Sequence, residues 1–132
     1  MAPPALIGSP SVVVLLVEDD PQARELFRSA LREGGYSVVA VSDGLDALTY
    51  LDAHTPAAMV LDLGLPRLHG RDVLAEIAAR GLTRQVPVVV VTGESTHGLD
   101  EYDVACVVTK PVTSDALRET LAACLSRFSR QS

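Results

Sequence analysis

Five apolar runs punctuate the chain, at residues 12–17, 36–41, 57–61, 86–91 and 104–109. They lack the polar alternation of a strand with one wet face. A strand covered on both faces reads this way, and such strands belong to parallel sheets. Between the runs the apolar residues recur at helical spacing. Pro21 fits a first helical turn, with Asp20 placed to cap it. Leu26, Phe27, Ala30 and Leu31 are expected on that helix's inner face, and Gly34-Gly35 stops it. Residues 44–51 form a short helix using Leu45, Leu48 and Leu51. Residues 71–80 form another, with Val73, Leu74 and Ile77 inward. The last, residues 113–128, carries Leu117, Leu121, Leu125 and Phe128 on one stripe. Strand and helix thus alternate five times, which predicts an α/β fold: a doubly wound, five-stranded parallel sheet. The first run is the most continuously apolar, so it suits a central place and the order 2-1-3-4-5.

The polar residues that matter fall at one place, the C-terminal ends of these strands. Glu18-Asp19-Asp20 follow the first run, Asp62 the third and Thr92 the fourth. Lys110 follows the fifth and is the only lysine beside ten arginines. Open α/β sheets bind ligands at that edge. Carboxylates brought together there repel unless a cation intervenes. Asp19, Asp20 and Asp62 are therefore expected to hold a hard divalent ion, Mg²⁺ or in its place Mn²⁺. Asp62 is the expected nucleophile for a phosphoryl group. Lys110 and the Thr92 hydroxyl are expected to offset charge on its oxygens. Pro111 favours a cis bond after Lys110.

Other classes are excluded by composition. A formal charge of −6 opposes a general grip on nucleic acid. No run is long enough to span a membrane, and residues 1–10 lack the basic start of a signal peptide. The expected location is the cytoplasm, with no membrane partner. Cys106 and Cys124 suggest no disulfide framework and read as core thiols. The three histidines are scattered. Residues 1–11 read as a flexible tail with three prolines, residues 12–128 as the domain, and residues 129–132 as a short C-terminal tail.

Four segments carry a family resemblance: L-L-V-E-D-D (15–20), L-D-L-G-L-P-R-L-H-G (61–70), V-V-T-G-E (90–94) and V-V-T-K-P (107–111). In this order and spacing the chain resembles the receiver domain of two-component response regulators, of the chemotaxis-regulator-like single-domain kind. The resemblance implies a flavodoxin-like fold and a Mg²⁺ site at Asp19 and Asp20, with the Gly64 backbone carbonyl as a further ligand. It implies that Asp62 accepts a phosphoryl group from a histidine kinase or a histidine phosphotransfer protein, assisted by Thr92 and Lys110. Pro66 and Gly70 match the loop that supports the acceptor. The domain would catalyse its own phosphorylation and dephosphorylation rather than turn over a substrate.

Two departures stand out. The family's usual aromatic residue, three positions before the lysine, is Val107 here, with Tyr102 the nearest replacement. Only 17 residues separate Thr92 from Lys110. That spacing predicts a shortened fourth helix within residues 93–103, and a monomer or a non-standard dimer. Gly64 and Glu94 follow the acceptor and the threonine by two residues each. Output is expected through protein contacts or onward relay. A second reading is a receiver-fold interaction module that is never phosphorylated. A third, an unrelated aspartyl phosphohydrolase, would want an acid where Gly64 stands.

Overall fold

A computed structural model describes residues 12–65, 69–93 and 95–131, the side chains of residues 130 and 131 apart. Pro66, Glu94, the 1–11 segment and Ser132 lie outside the described residues. The strands are β1 (Val13–Val17), β2 (Ser37–Val41), β3 (Ala58–Asp62), β4 (Val88–Thr92) and β5 (Cys106–Thr109). The helices are α1 (Pro21–Glu33), α2 (Gly44–Ala53), α3 (Gly70–Ala79) and α4 (Ser114–Gln131). All strand pairs are parallel, in the order β2-β1-β3-β4-β5. The expected fold class and strand order are both observed.

Successive strand residues face opposite sides, and each side has its own core. Leu15, Val17, Met59, Leu61, Val88 and Val90 pack towards α2 and α3. Val14, Leu16, Val60, Val89 and Val91 pack towards α1 and α4, against Phe27, Leu31, Leu117 and Leu121. The central strands are therefore apolar at every position because both faces are covered. Pro87 stands just before β4, where its missing N–H costs no ladder bond; its carbonyl accepts from Met59 N at 3.0 Å.

Three local expectations need correction. On α1, Phe27 is buried and Leu26 is 52% exposed, because α1 meets β1 and α4 along the stripe through Phe27, Ala30 and Leu31. On α2, Leu45 is also exposed, and Ala47 with Leu51 supplies the buried contact. Cys106 and Cys124 are joined in a disulfide, their Cα atoms 6.4 Å apart, rather than lying as separate core thiols. Their spacing of 18 residues conveys nothing by itself; only the docking of α4 on the edge strand β5 makes them neighbours.

The shortened fourth helix is a single 3₁₀ turn, Leu99–Tyr102, opened by Gly98 at φ 79° and closed by Asp103 at φ 60°. Leu99 is buried beneath it. Beside so small a cover, β5 alternates between partly buried and exposed residues. Cys106 and Val108 face α4, while Val107 and Thr109 are open on the other side.

Candidate functional site

The β1–α1 turn builds one wall. Glu18 N donates to Val41 O at 3.1 Å, continuing the ladder one residue past β1 and turning the Glu18 side chain into the protein. That side chain is only 2% exposed. Its Oε2 accepts from Asp20 N at 3.2 Å, while its Oε1 has no hydrogen-bond partner among the described residues. Arg24 of α1 fastens the turn, donating to the carbonyls of Glu18 at 3.1 Å and Asp19 at 3.3 Å.

Asp62 closes β3 and is 5% exposed. Its Oδ1 accepts from Gly64 N at 3.1 Å and lies 3.3 Å from Lys110 Nζ. The same ammonium is 3.7 Å from Glu18 Oε1. Carboxylate oxygens of Glu18, Asp19 and Asp62 all fall within 4.8 Å of one another. Asp20 is not among them. Its exposed carboxylate accepts from Ala23 N at 3.1 Å and caps α1. Asp20, expected as a metal ligand, thus stands at the helix cap. The capping role leaves it outside the cluster, and Glu18 takes the third place.

Burial dominates the electrostatics of Glu18. It pushes the Glu18 carboxyl up to about 7, against the pull of the Asp20 N–H bond; the Asp62 carboxyl pushes the same way as burial, and the Lys110 ammonium lowers it. For Lys110, partial burial favours the neutral amine, but the Glu18 and Asp62 carboxylates outweigh it and raise the pKa. The site at rest is a lysine held over a carboxyl cluster that carries an unsatisfied buried oxygen. Hard oxygen donors and that orphaned Oε1 fit a divalent cation.

The remaining wall is β4 and β5. Thr92, fully buried, ends β4 one residue beyond the Asp62–Val91 pair and pairs with Thr109. Lys110 N donates to Thr92 O at 2.8 Å, so the ladder itself fixes where the lysine emerges. The Lys110–Pro111 bond is cis, as the sequence favours. Gly93 lies under the lysine stem. The loop after β4 is tied to α3 by Arg71, whose guanidinium donates to Ser95 O and, at 3.0 Å, to His97 O.

Gly70 is required for a steric reason. A Cβ there would stand 2.3 Å from Leu63 Cα and 2.6 Å from Asp62 O, both backbone atoms that cannot yield cheaply. Gly70→Ala should destabilise the domain by about 1–3 kcal/mol, the range for forced overpacking, and displace the acceptor loop. Urea unfolding measures this; a midpoint equal to the parent's would refute the close approach. Gly64 is different, since a Cβ there would meet Asp62 Oδ1 at an ordinary 3.8 Å. Tyr102, the nearest stand-in for the missing aromatic, packs partly buried beside the α2–α3 core. Val107 is 41% exposed.

In the sequence Glu18 is only one acid in a run. Its place directly after the last β1 residue is the usable signal. Arg24 and Arg71 carry no such mark, because each acts on backbone carbonyls, which no pattern of side chains records.

Comparison with known proteins agrees with this geometry. The family described as the response regulator receiver domain matches residues 14–122. The response regulator MprA of Mycobacterium tuberculosis is 33% identical over 126 residues, covering 89% of this chain and 52% of that protein. The chain thus spans about half the length of the curated relatives it matches. The signal receiver domain of a protein described as a LuxO repressor, from Vibrio parahaemolyticus, superposes with a TM-score of 0.84 at 27% identity, covering 92% and 95% of the two chains. The receiver domain of a sensor histidine kinase from Pseudomonas aeruginosa PAO1, which holds a magnesium ion in its active-site cleft, gives 0.78 at 28% identity, covering 89% and 99%. A buried acidic cluster at the carboxyl edge of a 2-1-3-4-5 parallel sheet defines a phosphoacceptor class of signalling domain. The chain belongs to the response regulator receiver family.

Proposed function

We propose that residues 12–128 receive a phosphoryl group on Asp62 from the phosphohistidine of a sensor histidine kinase or a histidine phosphotransfer protein, in the cytoplasm. The observation that carries this is Asp62, buried beside two further carboxyls with Lys110 Nζ at 3.3 Å. Asp19 and Asp62, with Glu18 and the Gly64 carbonyl, would hold Mg²⁺ or Mn²⁺. A bound hard cation offsets negative charge on the phosphoryl oxygens.

The chain's own residues supply the rest. The Asp62 carboxylate attacks phosphorus in line; its O–P bond forms as the bond from phosphorus to the donor imidazole nitrogen breaks. Lys110 is already within reach and transfers its ion pair from the carboxylate to a phosphoryl oxygen. The Thr92 hydroxyl, at the end of the neighbouring strand, donates to another. The product is an acyl phosphate, which carries about −1.5 to −2 charge. That charge is the signal, passed on by protein contacts or onward transfer.

The test is intact-protein mass after incubation with acetyl phosphate, with and without Mg²⁺. A Mg²⁺-dependent gain of one phosphoryl group supports the reading. No gain, together with no Mg²⁺ binding by calorimetry, would favour a receiver-fold interaction module instead. Lys110→Ala should retain Mg²⁺ binding, since it removes a competing cation from Asp62. It should slow phosphoryl uptake by about 10²-fold, as expected for loss of one charge-stabilising donor. Uptake at the parent rate would remove Lys110 from the reaction.

A further inference from the structure

The end of the sheet away from Asp62 carries a second constellation. Cys106 opens β5 and Cys124 lies in α4, 2% exposed, and their sulfurs are bonded. Arg127, one helical turn beyond Cys124, places its Nη2 at 2.7 Å from Cys106 Sγ and 3.5 Å from Cys124 Sγ. A guanidinium at both sulfurs stabilises either one as a thiolate. Beside them lies a cavity of about 450 Å³, lined by Arg84, Asp103, Cys124, Arg127 and Phe128 among others. Cys124 is otherwise buried, so this cavity is its access. Two arginines in its lining, against the single acid Asp103, suit an anionic visitor.

We propose that Cys106 and Cys124 form a reversible redox site that exchanges with a small disulfide bearing carboxylates. The Cys124 thiolate, facing the cavity, attacks one sulfur of the small disulfide. A mixed disulfide forms and one small thiolate leaves. The Cys106 thiolate then attacks Cys124 Sγ and expels the second. The protein loses two electrons and two thiol protons; the small disulfide gains them as two thiols. Excess small thiol runs the sequence backwards. Arg127 favours the attacking thiolate and, with Arg84 of the same cavity lining, receives the carboxylates. Closure ties α4 to the edge strand β5, which among the described residues has β4 as its one sheet neighbour. Reduction removes that tie. The redox state thus sets how firmly the β5–α4 face is held, independently of the phosphoryl chemistry.

The experiment uses the full chain, reduced and then equilibrated with glutathione and glutathione disulfide at varied ratios, quenched by alkylation and weighed. The expected result is a reversible transition between a doubly alkylated form and an unalkylated form two hydrogens lighter than the reduced chain. Hydrogen exchange across α4 and residues 106–109 should be slower in the oxidised form. Arg127→Gln, at an exposed position, should slow closure several-fold at neutral pH and lose less when the pH is raised towards 9, where the thiols ionise unaided. Three results would each overturn the proposal: a protein that stays doubly alkylated in excess disulfide, one that stops at a stable mixed disulfide, or an Arg127→Gln protein that closes at the parent rate at every pH.

Discussion

Asp62→Asn should show no mass gain with acetyl phosphate and Mg²⁺, where the parent gains about 80 Da, the mass of one phosphoryl group. The change replaces one oxygen by an NH₂ group of nearly the same size. Gly64 N still finds an acceptor if the amide oxygen takes the Oδ1 place, and Lys110 keeps Glu18 at 3.7 Å. The fold and the approach to the site are therefore retained. What is lost is the charge that attacks phosphorus, since an amide oxygen is a feeble nucleophile. A drop of more than about 10⁴-fold is expected, beyond what loss of a general acid or base usually costs. Far-ultraviolet circular dichroism of the variant controls for unfolding. A phosphoryl group found on the Asp62→Asn protein would mean that another residue accepts it, and fragmentation of the modified chain would identify which.

The parts of this site that are legible in the sequence are those set by the end of a strand. Asp62, Thr92 and Lys110 each close an apolar run, and parallel register carries all three to one edge without further information. The acidic run after β1 is less tractable. Three consecutive acids follow a strand, and which one turns inward depends on where the ladder stops. The bond from Glu18 N to Val41 O decides it, and that bond is not written in the sequence. Asp20 is suited by chemistry to two roles, cap and ligand, and the geometry of α1 gives it the first. Helix faces are misread where a neighbour differs by one position from the apolar count, as with Leu26 and Phe27. The disulfide is invisible in the sequence because it depends on tertiary docking alone.

The departures at Val107 and in the fourth helix have one physical consequence in common. With a 3₁₀ turn in place of a full helix, the α2–α3 side of β5 has little to cover it, and Val107 stands at an open surface. An aromatic ring there would have no helix to slide beneath. A branched aliphatic side chain keeps the strand propensity that an edge strand needs and exposes less apolar area. On the function proposed above, transmission of the phosphorylated state would fall to elements directly bonded to the site. The best placed is the loop after Thr92, which Arg71 fastens to α3 through Ser95 O and His97 O.

Without divalent cation, the domain should lose stability as the pH rises from about 5 to 8. Glu18 has a folded pKa of about 7 against 4.5 for the free side chain, chiefly because it is buried. The folded state therefore binds the proton more tightly than the unfolded state does. Such a group contributes its full stability below pH 4.5, and that contribution falls away as the pH climbs through 7. At about 1.4 kcal/mol per pKa unit the whole loss is on the order of 3 kcal/mol. Mg²⁺ should reverse the trend. The ionised Glu18 that destabilises the cation-free protein completes the acidic cluster around the ion, so stabilisation by Mg²⁺ should grow over the same interval. Urea unfolding in EDTA and in excess Mg²⁺, at several pH values, measures both slopes. Glu18→Gln, which cannot ionise, should flatten the EDTA series relative to the parent. A parent whose stability in EDTA rises between pH 5 and 8, or a Gln variant with the parent's slope, would show that Glu18 is not the group that couples the proton to the fold.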